Sequence, residues 1–164
     1  EIFLVAGLEY NEWDRKDNEP LSPMLKREQI IEMKEYGIRF GSHTLNHRDL
    51  TTCTPDEMEM EIAGSKKLLE DKLGFEIESI AYPYGNYNDE VINKVKSAGY
   101  KFGYATDRGP LGMHEDLFKI RRITIFPNTD VFHFARKVKG NYIFKRIKDE
   151  KDLFGFNSQN ERFS

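Results

Sequence analysis

The sequence has little in it that could cross-link, anchor or polarise the chain. One cysteine, Cys53, among 164 residues excludes any disulfide within the chain, and it reads as an ordinary buried or loop thiol. No apolar run approaches the roughly 18 residues that span a bilayer. The longest, Ile2 to Leu8, is the size of a strand. No signal peptide pattern is visible, which leaves the compartment open. There is also no excess of one charge: 25 basic against 28 acidic residues leave −3. That balance excludes a general attraction to nucleic acid or anionic membranes. The basic residues Lys137, Lys139, Lys145, Arg146 and Lys148 interleave with Asp149, Glu150 and Asp152, so they read as a solvated face. Internal repeats and low-complexity segments are absent.

Apolar residues are scarce as well, at 38%, while charged residues reach 32%. Aromatics offset this. Twelve Phe, eight Tyr and one Trp bury a large area each, and they remove the chain from the aromatic-poor, highly charged class that stays disordered. The length fits one domain with one core.

The pattern along the chain alternates strand and helix. Ile2 to Ala6 reads as a buried strand, followed by a long polar loop, Gly7 to Pro23, with Trp13, Asp14 and Asp17. Lys26 to Tyr36 has helical spacing and stops at Gly37. Ile38 to Gly41 is a short strand. Thr54-Pro55-Asp56-Glu57 combines a capping threonine, a proline suited to the first turn and a glutamate that completes a capping box. The helix it starts runs to about Leu73, with Met58, Ile62, Leu69 and Leu73 on one face. Strands are expected at Ile77 to Ala81, Phe102 to Ala105 and Ile123 to Phe126. Asn88 caps a helix that ends at Gly99, and Thr129 or Asp130 caps another through Val138. Such alternation implies an α/β fold with parallel strands and helical crossovers. It does not separate a closed barrel from an open sheet. In both, sites sit at the C-terminal ends of strands.

Two segments directly follow expected strands. Gly41-Ser42-His43-Thr44-Leu45-Asn46-His47 carries two histidines four apart, which can share one metal ion; a pair of surface histidines is the bland alternative. Zinc is the default for imidazole ligands, with cobalt or nickel as substitutes. A catalytic zinc also needs a third protein ligand and an open position for water. Ala81-Tyr82-Pro83-Tyr84-Gly85-Asn86-Tyr87-Asn88 puts tyrosines and amides on a turn that suits sugar binding, or is merely a turn made of turn formers.

Together with the helix Glu61-Ile62-x-x-Ser65-Lys66-Lys67-x-Leu69-Glu70 and a later helix ending Ala98-Gly99-Tyr100, these segments resemble the polysaccharide deacetylases of carbohydrate esterase family 4, the NodB-homology domain. The resemblance covers roughly Phe3 to Phe126. It implies a distorted (β/α) barrel, a divalent metal, and an N-acetylated polysaccharide or glycan as partner. His43 and His47 match the family's two metal-binding histidines, and Thr44 the residue that braces their loop. Tyr82, Pro83 and Tyr84 match a motif lining the groove, with Tyr87 beside it. The Tyr84 backbone N–H would help to hold the oxyanion, and Arg122 matches a supporting arginine.

The family's Thr-Phe-Asp-Asp-Gly motif, source of the catalytic base and third ligand, has no counterpart here. The resemblance therefore implies that the front of the domain, about one strand and one helix, is missing, or else that the domain diverged without it. Asp14, Asp17 and Asp107 are poor substitutes. His114 and His133 are candidates for the general acid, with His133 read as a packed structural histidine beside Phe132 and Phe134. Residues 1–139 are expected to form the deacetylase-like domain and 140–164 a polar tail. An exposed edge at Ile2 to Ala6 would favour self-association. Two other readings stay open: a catalytically dead carbohydrate-binding module, and a different α/β metal hydrolase using the same histidines with a local carboxylate.

Overall fold

The computed structural model describes residues 1–12, 20–106 and 116–139. Five strands, β1 (Ile2–Leu4), β2 (Phe40–Ser42), β3 (Ser79–Ala81), β4 (Phe102–Ala105) and β5 (Ile120–Arg121), form one sheet in chain order. Every neighbouring pair is parallel, in the register Phe3↔Gly41, Ser42↔Ile80, Ile80↔Gly103 and Tyr104↔Ile120. Helix α1 (Arg27–Glu35) connects β1 to β2, and α4 (Asp89–Ser97) connects β3 to β4. The connection from β2 to β3 is a longer helix made of α2 (Pro55–Glu59), a π-helical turn over Met60–Gly64, and α3 (Ser65–Leu73). Helix α5 (Val131–Val138) follows the last strand.

Local signals explain most of these boundaries. Thr54 Oγ1 accepts from the Glu57 amide while Glu57 Oε2 accepts from the Thr54 amide at 2.8 Å, closing the capping box. Gly74 ends that helix at φ +77°. Asn88 Oδ1 accepts the Val91 amide at 2.9 Å, and Asp130, rather than Thr129, caps α5. The core lies on one face of the sheet, where Leu4, Phe40 and Ile80 meet Ile30, Ile62, Leu69, Val91 and Val95.

The other face curls inward. The Phe3 and Tyr104 rings lie 5.1 Å apart, although β2 and β3 separate their strands. Flat strands so placed would be about 14 Å apart at the usual spacing. The rings meet because the residues between them are small. Gly41 leaves the room: a Cβ there would come within 2.7 Å of the Phe3 ring and would also strike Ser79 Oγ. This is the curvature of a (β/α) barrel that is incomplete over the described residues, with β1 and β5 as its edges.

One expected strand is displaced. Ile123 to Phe126 has strong β propensity, yet β5 forms three residues earlier. Strand β4 ends at Ala105, and its free edge is already used: the Gly103 amide donates to Leu117 O at 2.8 Å, and the Arg122 amide to Ala105 O at 2.9 Å. Among the described residues no strand pairs with Ile123 to Phe126, and Ile125 is exposed. His133 also differs from expectation. It is an exposed residue of the first turn of α5, and its Nδ1 pairs with Asp130 Oδ2 at 2.7 Å, so it extends the cap instead of packing. Trp13, Asp14, Asp17, Asp107, His114 and the tail 140–164 lie outside the described residues.

Candidate metal centre

His43, Tyr82 and Arg122 each immediately follow the C-terminal end of a strand, β2, β3 and β5 in turn. The sheet topology therefore gathers segments that are far apart in sequence at one end, as parallel α/β folds do.

The histidine loop is held from two sides. On the carbonyl side, the Ala6 amide donates to Thr44 O at 3.0 Å and the Gly7 amide to Leu45 O at 2.8 Å. A Cβ on residue 7 would stand 2.7 Å from that same Leu45 oxygen, so glycine permits the approach. On the amide side, Ser42 Oγ accepts from Thr44 and Thr44 Oγ1 from His47, both at 3.1 Å. The second of these is the bracing role that the resemblance implied for Thr44. Thr44 and His47 both adopt left-handed backbone, at φ +67° and +58°. Each such non-glycine residue costs roughly 1–2 kcal/mol, so the surrounding contacts must hold the turn.

The two imidazoles converge. His43 Nδ1 lies 2.7 Å from Ala81 O. A carbonyl only accepts, so Nδ1 carries the proton and Nε2 keeps its lone pair. His47 Nε2 is 3.1 Å from that Nε2, with the rings edge to face at 4.6 Å. Two nitrogens bound to one tetrahedral zinc at 2.0–2.1 Å stand about 3.3 Å apart, so this pair has the bite of a shared metal. Burial holds His43 down to about 4, helped by the charge of Arg122 and by His47 and opposed by the Ala81 hydrogen bond. It is neutral at pH 7, as a ligand must be.

Donor chemistry and tautomer thus fit a divalent metal for two ligands. Among the described residues, no group of three or more His, Cys, Asp or Glu forms a metal cluster.

The tyrosine motif divides. Tyr84 is half exposed, adopts φ +58°, and places its ring 4.9 Å from that of His47. Tyr82, expected to line the groove, is fully buried, as is Pro83. It stays in phase with Ile80, so its side chain enters the core side of the sheet and its hydroxyl donates to Phe118 O at 2.8 Å. Desolvation raises that hydroxyl's pKa further. A ring with no accessible surface cannot stack on a sugar, and the substrate-binding expectation for Tyr82 and Pro83 is corrected accordingly. Tyr87 is partly buried against Tyr82 at 5.3 Å. Asn86 Nδ2 donates to Asp49 Oδ2 at 2.7 Å, tying this turn to the segment after His47. Arg122 lays its guanidinium 5.4 Å from the Phe3 ring, and its buried Nε has no hydrogen-bond partner among the described residues.

The sequence reading missed Glu61. It is 2% exposed, inside the π-helical turn, and contacts the middle of the histidine loop. Its signal was present: a carboxylate on the apolar stripe, three residues after Met58 and next to Ile62.

The family model for polysaccharide deacetylases matches residues 3–103. The chain belongs to this family. Its members are hydrolases acting on N-acetyl groups. The chain is 33% identical over 103 residues to YxkH of Bacillus subtilis, across 63% of this chain and 37% of that protein. It is 25% identical over 127 residues to the poly-beta-1,6-N-acetyl-D-glucosamine N-deacetylase of Staphylococcus aureus, across 71% of this chain and 43% of that protein. Among solved structures, the Streptococcus pyogenes deacetylase PplD in complex with acetate aligns with a TM-score of 0.70 and 31% identity, over 82% of this chain and 56% of that one. The chain thus spans about two fifths of the length of these curated relatives. No helix among the described residues is long and apolar enough to cross a membrane.

Proposed function

We propose that this chain carries the two-histidine half of a metal-dependent site that removes N-acetyl groups from an amino-sugar polymer or glycan. The observation that carries the reading is the 3.1 Å approach of the His43 and His47 Nε2 atoms with the His43 tautomer set by Ala81 O. Zinc is the favoured ion, with cobalt and nickel as substitutes. A bound divalent ion supplies Lewis-acid polarisation of the amide carbonyl and a water of lowered pKa.

The chain's own residues do the rest of what can be assigned here. His43 and His47 hold the ion. The backbone N–H of Tyr84 would help to hold the developing oxyanion, where a fixed donor acts most strongly. Arg122 is a half-buried cation whose charge is felt at His43, and it would support the negative charge that forms. Hydrolysis consumes one water, releases acetate and leaves a free amine. The described residues offer no group of three metal ligands and the sequence has no counterpart of the family's Asp-Asp motif, so the isolated chain is expected to be inactive or nearly so. An N-acetylglucosamine polymer is the favoured substrate class, consistent with the name of the Staphylococcus aureus relative.

The reading as a carbohydrate-binding module without chemistry is less favoured. It needs a platform of exposed tyrosines, and Tyr82 is fully buried. Metal content of the purified chain by elemental mass spectrometry tests the proposal. A near-stoichiometric divalent metal in wild type that is lost in His43→Ala supports it. Metal retained undiminished in His43→Ala sinks it, and a metal-free wild type means that two histidines without a third ligand do not hold the ion in this chain.

A further inference from the structure

Five successive amides, from His43 to His47, are all accounted for. His43 N donates to Leu4 O at 2.7 Å, and Ser42 and Thr44 hydroxyls take those of Thr44 and His47. The two in the middle go to one side chain. Glu61 Oε2 accepts from Leu45 N at 3.0 Å and Asn46 N at 2.8 Å, and Oε1 accepts from Asn46 Nδ2 at 2.8 Å.

All three partners are donors, so the group that meets them must be acceptor-only, which an ionised carboxylate is and an amide is not. A core position filled only for packing would be apolar here, as its neighbours Met58 and Ile62 are. Burying a charge costs free energy unless hydrogen bonds satisfy it, and here those bonds all end on the histidine loop. The clamped pair lies between the two left-handed residues, Thr44 and His47, whose geometry aims the second imidazole. The π-helical turn presents Glu61 at this point, and such turns recur at functional sites.

We propose that Glu61 is a positioning residue that sets the spacing of His43 and His47 and, through it, the metal affinity of the site. This rests on reading the pair as a metal site. Glu61 acts on the loop between the ligands and need not touch the ion, in the way outer groups fix ligand geometry elsewhere.

The test titrates the metal-free full chain with Co(II) against a competing chelator, following the visible ligand-field bands. Glu61→Gln is near-isosteric but turns an NH₂ toward one of the three donors. Met58→Ala is the control, because Met58 is buried on the same helix and contributes packing only. Glu61→Gln is expected to weaken Co(II) binding roughly 10–100-fold and alter the band intensities, while Met58→Ala stays within about threefold of wild type. Equal affinity in wild type and Glu61→Gln, or an equal loss in Met58→Ala, overturns the proposal. If the Gln variant does not fold, Glu61→Asp replaces it: the charge stays, but the shorter side chain cannot reach both amides, and the same loss is expected.

If wild type takes up no cobalt, the two histidines alone do not hold the ion, and imidazole ¹⁵N NMR of the metal-free chain then judges the positioning role. Shifted His43 and His47 ring resonances in Glu61→Gln support it. Unchanged rings overturn it.

Discussion

His43 is the residue on which the site's chemistry turns. Its Nδ1 is committed to Ala81 O, and burial keeps the ring neutral down to about 4, against 6.5 for a free histidine. In the unfolded chain the ring takes up a proton at higher pH than in the fold. Stability from this group is therefore complete above about 6.5 and is lost as pH falls toward 4. At about 1.4 kcal/mol per unit of separation, the full effect is on the order of 3 kcal/mol. We expect the unfolding midpoint of the metal-free wild type to fall more steeply between those pH values than that of His43→Gln. Urea titrations across the range check this, and parallel curves would show that the ring is not buried neutral. Tyr82 gives the opposite lesson at the same scale. Its type suits a sugar platform, but its place in the strand's alternation sends it inward.

At the scale of elements, β2 is the strand that other parts are fitted around. Gly41 lets Phe3 and Tyr104 meet across the concave face, and two residues later the chain presents His43. Gly41→Ala should destabilise the fold by about 1–3 kcal/mol through overpacking. It should also disturb the histidine pair, which NMR of the rings would register; a stable variant with unchanged rings would mean that the curvature is not set here. The long helix begins with a capping box, and Thr54→Ala should cost about 1 kcal/mol in urea unfolding. Its cap, proline and glycine stop are all readable in sequence. The π-helical turn in its middle is not, because apolar spacing continues through it without a break.

For the molecule as a whole, the parallel sheet leaves β1 at an edge. Alternation along β1 turns the polar groups of Ile2 and Leu4 toward β2 and those of Phe3 and Val5 outward. Unpaired groups of that kind recruit strands from other chains. Self-association that grows with concentration is therefore expected in light scattering of the 164-residue chain. A monodisperse monomer at every concentration would show that the edge is covered.

The sequence by itself determined the alternation of strand and helix, the helix boundaries and the histidine pair, because caps, glycine stops and apolar periods act within a few residues. It also carried the family resemblance, which lies in short motifs. Only the tertiary structure decided the start of β5, the burial of Tyr82 and Pro83, and the reach of Glu61 to Leu45 and Asn46. Each of these depends on which strand edge is free, or which side chain another segment meets. Such contacts join residues up to dozens of positions apart, and no local spacing rule contains them.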